Sequence, residues 1–297
     1  MLTRIDHVVL CVPDLDAGVE AFTRLGFNIY PGGVPATEGT HHAIAVHGDD
    51  DSLELLSVRD RDAYAAATPT PGAPEAGLLP FLADGGGFRC VAVQSDDLVH
   101  DVRAMRQRGV DVNDAAESAA RAPTGQILRW NVATLGAGNP LPIFFVQHLT
   151  PAEARRTQVP KVDDHPNRVL RTDRVYIAVP DVVVAARTYS QVLGMPMPRV
   201  QRGNVIKADM AVFDLGPTGL TVAQPAEPGP AAEALTRRGP GPFQVLYRTA
   251  SMNAAARWMV DHGLPLPARG VRNTGEQAIL VGPEHACGAY IGLVGPE

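Results

Sequence analysis

RIDHVVLCVPDLDAGVEAFTRLGF at residues 4–27 is echoed by RTDRVYIAVPDVVVAARTYSQVLGM at residues 171–195. Arg4/Arg171, Asp6/Asp173, Val8/Val175, Val12/Val179, Pro13/Pro180 and Asp14/Asp181 all match at a single offset. So many matches over so short a span indicate a duplication. A weaker echo joins GFRCVAVQSDDLVHDVRAMRQRG, from Gly87, to PFQVLYRTASMNAAARWMVDHG, from Pro242. There Phe88 is aligned with Phe243 and Gly109 with Gly263. The chain therefore reads as four units of one kind.

Each unit opens on a valine- and isoleucine-rich run of strand length: His7–Val12, Arg89–Val93, Val175–Val179 and Gln244–Tyr247. A helical period follows. Leu15, Val19 and Phe22 stand at i, i+4, i+7, as do Leu98, Val102 and Met105; Val182, Ala186 and Tyr189; and Met252, Ala256 and Met259. That spacing places the apolar side chains on one helix face. Asp14 and Asp181 sit where a helix N-cap needs an acceptor. Gly26, Gly109, Gly194 and Gly263 sit where a left-handed residue ends a helix. Further strands are expected at His42–Val46 and Ser52–Val58 around GDDD, and at Met210–Phe213 and Leu220–Ala223 around GPTG. PIFFVQH and AYIGLV would close units two and four.

A strand, a helix and two or three antiparallel strands close only half a barrel. Its inner face would stay wet unless a second unit completed it. The expected fold is therefore α+β, with four βαβββ modules paired into two half-barrel domains. The first domain would span 1–149 (modules 1–57 and 86–149) and the second 171–297 (modules 171–225 and 240–297), with a linker at 150–170. The Pro- and Gly-rich stretches 68–77 and 226–242 read as punctuation between units. A chain of 297 residues is long for one core, which agrees with two domains.

Lys and Arg number 26 against 32 Asp and Glu, a net charge of −6 with no long basic run. Nucleic acid and anionic membrane are poor partners for such a chain. Three cysteines, Cys11, Cys90 and Cys287, include no CxxC pair, so neither a disulfide framework nor a zinc knuckle is expected. The N-terminus has no cationic leader before a long apolar core, and no apolar run reaches membrane-spanning length. A cytoplasmic location is expected. GxSxG, Walker and GxGxxG patterns are missing.

DHVVLCVPDLD (6–16), GT (39–40), LELL (53–56) and HACGAYIGLV (285–294) together resemble the vicinal oxygen chelate superfamily. The first half resembles a glyoxalase-like domain. The resemblance covers nearly the whole chain and implies enolisation, isomerisation or lyase chemistry on a small oxygen-rich metabolite. It also implies that a divalent metal can sit between paired modules, on ligands from the first and last strand of each. Dimers are common in the superfamily, so a homodimer is a further expectation. His7 matches the first-strand position and Glu54 the last-strand position of module one. The matching places elsewhere carry Arg89 and Phe145 (within one residue), then Arg174, Thr221, Gln244 and Gly292. Extradiol dioxygenases of this superfamily also run to four modules. Their two-His-one-carboxylate set is not found in the second half, which argues against that activity.

Three readings of the first cup remain open. In the first, His7 and Glu54 hold Zn, Fe, Mn, Ni or Co. His42 would be the third ligand, with His41 and Gln147 behind it, since catalytic sites draw three protein ligands. In the second there is no metal. Arg89 faces Glu54, binds the anion of a ligand, and His7 or Glu54 moves a proton. In the third, His7 and Glu54 are hydrogen-bonded remnants in a protein that only binds or sequesters a small molecule. Cys11, Phe144, Phe145, Gln147 and Trp130 would contact such a ligand. His47, His100, His165 and His262 are expected at the surface, and Asp49–Asp51 in a solvated turn.

Overall fold

In the computed structural model residues 1–33, 37–67, 69, 72–156 and 164–297 are described. The first unit holds β1 (Leu2–Cys11), α1 (Leu15–Arg24), β2 (Tyr30–Pro31), β3 (Thr40–Val46) and β4 (Ser52–Val58). Two short helices follow, α2 (Arg61–Ala66) and α3 (Leu78–Ala83). The second unit holds β5 (Gly87–Ser95), α4 (Leu98–Gln107), β6 (Ala116–Arg121), β7 (Ile127–Thr134) and β8 (Ile143–His148), and α5 (Ala152–Arg156) comes next. The third holds β9 (Val169–Ala178), α6 (Val182–Leu193), β10 (Gln201–Gly203), β11 (Ala208–Leu215) and β12 (Thr218–Pro225), followed by α7 (Pro230–Arg238). The fourth holds β13 (Gly241–Thr249), α8 (Met252–Asp261), β14 (Ala268–Val271), β15 (Gln277–Val281) and β16 (Tyr290–Val294).

These strands form two eight-stranded sheets, β2-β3-β4-β1-β5-β8-β7-β6 and β10-β11-β12-β9-β13-β16-β15-β14. In each, the first strands of two units pair antiparallel at the centre, and each pairs parallel with the last strand of its own unit. The α+β class and the four βαβββ modules are as the sequence predicts. So are the helix ends. The Asp14 carboxylate accepts from the Ala17 N–H at 3.0 Å, and Asp181 accepts from Val183 and Val184 at 2.9 Å each. Such caps are worth about 1 kcal/mol each. Gly26, Gly109, Gly194 and Gly263 all take positive φ.

The outer faces of both sheets, with α1, α4, α6 and α8, share one apolar core that runs through both halves. Each inner face has its own smaller cluster. Val9, Cys11, Leu56, Cys90, Ala92, Phe144 and Val146 line the first, and Tyr64 of α2 with Leu78 and Leu82 of α3 cover it. Tyr176, Ala223, Leu246 and Tyr290 line the second, under Ala231 and Ala234 of α7. The stretch 226–242 therefore carries the cover of the second cup, and the stretch 68–77 lies in sequence between the two helices that cover the first. Within them, residues 68, 70 and 71 lie outside the described residues, as do 157–163 of the expected linker.

Strand pairing corrects one alignment. Val9 faces Cys90 while Tyr176 faces Gln244, and Cys11 faces Gly87 while Ala178 faces Gly241. Phe243 therefore corresponds to Arg89 and not to Phe88. The register is marked by a β-bulge that all four first strands share. Asp6, Arg89, Asp173 and Phe243 are each the extra residue at the same place in a first strand, and a bulge shifts every later side chain by one. Within the first sheet Asp6 thus corresponds to Arg89, His7 to Cys90, and Glu54 to Phe144.

Three expectations of exposure fail. His47, Asp51 and His165 are all buried, at 0%, 0% and 1% exposure. The GDDD turn is covered by the second half. The Asp51 carboxylate accepts from the Thr172 N–H at 2.5 Å and lies 3.3 Å from His47 Nδ1 and 3.5 Å from Arg4 Nη2. The rings of His47, His165, Phe27 and Tyr247 meet nearby, edge-on except for the tilted pair Phe27–His47. Among the described residues, no helix is long and apolar enough to cross a membrane.

Candidate active site in the first cup

Alternation along β1 turns His7, Val9 and Cys11 inward. Along β4 it turns Glu54 inward between the outward Leu53 and Leu55. Because Val9 pairs with Glu54 in parallel register, the imidazole of His7 and the carboxylate of Glu54 converge. His7 Nε2 lies 3.7 Å from Glu54 Oε2, and the ring stands edge-on to Phe144 at 5.4 Å.

The bulge residue Asp6 orients this pair. Its Oδ2 is 2.6 Å from His7 Nδ1 and its Oδ1 is 2.6 Å from His148 Nε2. An ionised carboxylate only accepts hydrogen bonds, so both ring nitrogens carry hydrogens toward it. That fixes the His7 tautomer and leaves Nε2 free to gain or lose a proton toward Glu54. Burial opposes the Asp6 charge, but the hydrogen bonds from His148 and His7 outweigh it and hold the carboxyl well below the usual range. Burial likewise opposes the His7 imidazolium. The hydrogen bond and charge of Asp6, with Glu54 and Glu75 beyond, outweigh it and raise His7 above the ordinary imidazole value.

Glu75 joins from the loop before α3. Its carbonyl accepts from the Tyr64 hydroxyl at 2.5 Å, and that hydroxyl accepts from the Leu78 N–H at 2.9 Å. Burial, then the charge of Glu54, raises the Glu75 carboxyl above the usual carboxylate value. Around Glu54 the cup thus gathers Asp6, shifted down, with His7 and Glu75, both shifted up. Opposed shifts of this kind separate acid from base roles.

The two ends of the Asp6–His7 contact titrate with opposite sign. Depressed Asp6 stabilises the fold above its unfolded value of about 3.9, and this is lost as pH falls. Raised His7 stabilises fully below its unfolded value of about 6.5, and this is lost as pH rises through the folded value. Asp6→Asn should therefore cost most between about pH 5 and 6.5, roughly 2–3 kcal/mol for two charge-assisted bonds. Urea unfolding across pH checks this; a cost that is flat with pH would refute it.

Several predicted residues stand elsewhere. His42 lies on the inner face by register, but its ring packs on Gly32, where a Cβ would come 2.0 Å from His42 Cδ2. Among the described residues no three His, Cys, Asp or Glu side chains assemble as a metal-ligand group. His7 and Glu54 are two donors where a catalytic ion draws three, so this donor set does not fit a resident divalent ion. Arg89 does not pair with Glu54. As a bulge residue it turns aside, donates to the Ala76 carbonyl and lies 4.9 Å from the Phe81 ring centroid. Phe145 points into the outer core, and Phe144 takes the cup position. Gln147 accepts from the Leu98 N–H at 3.2 Å and donates to the Asp96 carbonyl at 3.0 Å, so it serves the start of α4. Cys11 does face the cup, with burial raising its thiol so that it stays protonated. Trp130 packs against the same inner cluster.

Asp6, His148 and Glu75 escape sequence reasoning. Asp6 left one signal, its recurrence as Asp173. His148 left another, since it follows Phe144 and Val146 at period two.

In the second cup, Arg174 at the His7 position binds Asp214 at 2.9 Å. Asp173, at the Asp6 position, is ringed by Arg248 at 2.9 Å and Arg272 at 3.6 Å. Thr221 and Gln244 are buried. Ion pairs and apolar packing occupy the space that is polar and titratable in the first cup.

Residues 5–193 match the glyoxalase-like domain family, and residues 173–280 match the glyoxalase/bleomycin resistance protein/dioxygenase superfamily. No curated protein matches the chain. Among solved structures, a hypothetical protein from Staphylococcus aureus superposes with TM-score 0.68 at 12% identity, over 99% of this chain and 100% of that one. A mutant of 4-hydroxymandelate synthase from Streptomyces coelicolor gives TM-score 0.67 at 16% identity, over 99% and 92%. A fusion of a xylose isomerase-like TIM barrel with 4-hydroxyphenylpyruvate dioxygenase gives 0.59 at 12%, over 99% of this chain and 49% of that one. At such identities the likeness is one of fold. With its paired βαβββ modules and a family match over more than half its length, the chain belongs to the glyoxalase-like domain family, built on the vicinal oxygen chelate fold.

Proposed function

We propose that the first cup is the active site of an enzyme that enolises a small oxygen-rich metabolite by proton transfer. The observation that carries this reading is the His148–Asp6–His7 chain aimed at Glu54. Glu54 takes the proton from the carbon beside a carbonyl. His7, protonated and fixed through Nδ1, donates from Nε2 to the oxygen that becomes negative. Glu75, whose carboxyl burial and the Glu54 charge shift upward, is the second donor. Returning the proton to the same carbon gives epimerisation, to its neighbour isomerisation, and loss of a β-substituent gives a lyase. Each outcome shares the enolate, so the shared step is what is tested.

Incubation of the protein in deuterated water with hydroxy-ketones and enolisable acids should show exchange of the carbon-bound proton by NMR. Exchange should require Glu54. Exchange that survives Glu54→Gln undiminished, or a panel with no exchange, would refute the reading. Sequestration without chemistry is a second reading, favoured by the apolar wall of Phe144, Val146 and Trp130. It predicts binding of a panel compound with no exchange.

A further inference from the structure

The second half reaches into the mouth of the first cup. Arg238, at the end of α7, leaves its own sheet and lies against Gly87 at the start of β5. A Cβ on that glycine would come 2.0 Å from Arg238 Nη1. The guanidinium stands 5.1 Å from the centroid of the Phe81 ring, the same ring that carries Arg89. Arg237, beside it, donates to the Gly288 carbonyl. Arg89, Arg237, Arg238, Phe81, Phe243 and Cys90 line a cleft of about 370 Å³ between the halves.

This cleft opens on the cup floor, because Cys90 belongs both to its lining and to the inner cluster. Glu54, Glu75, Arg89 and Arg238 all lie near enough to Cys11 to bias its thiol. Among the described residues the lining carries no Asp or Glu. Arg238 Nε is buried without a hydrogen-bond partner among the described residues. Burial and the neighbouring Arg237 charge lower the Arg238 guanidinium to about 10. Two guanidiniums gather on one ring, and Asp84, outside the lining, offsets part of the charge repulsion on Arg238.

We propose that Arg89 and Arg238 bind a phosphate monoester group on the substrate of the first cup, so that the second half completes the site. A phosphate brings close to two negative charges and three acceptor oxygens, enough to neutralise both guanidiniums. A carboxylate neutralises only one. That the anion belongs to a substrate rests on the enolising role of the first cup; the anion binding does not.

The test is calorimetric titration of the full chain with inorganic phosphate, beside acetate, at low ionic strength. Phosphate should bind saturably at one site, and acetate at least tenfold more weakly. Arg238→Met and Arg89→Met should each weaken phosphate at least tenfold. Arg238→Lys, which keeps the charge, should weaken it less. Glu54→Gln should leave phosphate binding in place while it lowers exchange at least a hundredfold, so the two proposals fail separately. Thermal melts identify a variant that has not folded, and Arg238→Lys then carries the comparison. Absent phosphate binding, equal binding of acetate, or phosphate binding unchanged in the folded arginine variants would overturn the assignment.

Discussion

Asp51→Ala should destabilise the protein by about 3–5 kcal/mol, the cost of removing one member of a buried charged group. Asp51 is fully buried and accepts from the Thr172 N–H across the junction of the halves. Its carboxyl is held below the usual range. Burial opposes this, but the charge and hydrogen bond of His47 and the hydrogen bonds of Thr172 outweigh it. Truncation strands His47, whose ring nitrogens have no other hydrogen-bond partner among the described residues, and removes the carboxylate 3.5 Å from Arg4. At typical unfolding entropies the melting midpoint falls by roughly 6 °C or more. Asp49→Ala is the control. Asp49 is half exposed and, among the described residues, pairs with Arg171 at 3.6 Å, so its loss should stay within about 0.5 kcal/mol. If the two substitutions cost the same, Asp51 is not the anchor of the junction.

Acid should loosen the same junction. Burial, then the His47 charge, lowers His165 to about 4. Its Nδ1 accepts from the Asn28 N–H at 2.9 Å and its Nε2 donates to the Val46 carbonyl at 2.9 Å, which is the neutral tautomer. A folded value below the unfolded one means that stability is lost as pH falls from about 6.5 toward 4. Asp51 loses its contribution in the same direction.

Glu54→Gln should lower solvent exchange by about 10²–10⁴-fold, the usual contribution of a positioned acid or base. The amide keeps the shape of the carboxylate and cannot take a proton. His7→Gln should cost a similar factor, because it removes the donor that faces the developing oxyanion. Asp6→Asn should act differently, through His7. With its tautomer unfixed and its charge partner gone, His7 loses its proton at lower pH. The alkaline limb of the rate profile should then move to lower pH, while the acid limb stays. Loss of rate with no movement of the limb would make Asp6 merely structural.

Much of this arrangement is legible in the residues. The matches from Arg4 to Asp14 and from Arg171 to Asp181 fix the repeat, the central strands and the caps. Simple alternation then turns His7 and Glu54 to the same side. What escapes does so for identifiable reasons. Matching Phe88 to Phe243 slips the second and fourth units by one residue, so Cys90, the true counterpart of His7, is passed over. The polar residues His47, Asp51 and His165 look solvated because the surface that buries them is distant in sequence. The apolar run LLPFLA of α3 and the helix α7 sit among prolines and glycines, and they are held by docking on the cups.

The most direct measurement is a pH titration of the histidine ring nitrogens by NMR, in the wild type and in Asp6→Asn. His7 Nδ1 should stay protonated throughout, and Nε2 should titrate above the ordinary value of about 6.5, falling to that value or lower in the variant. A His7 that titrates at or below the ordinary value in the wild type, or one indifferent to Asp6→Asn, would contradict the proton-transfer site.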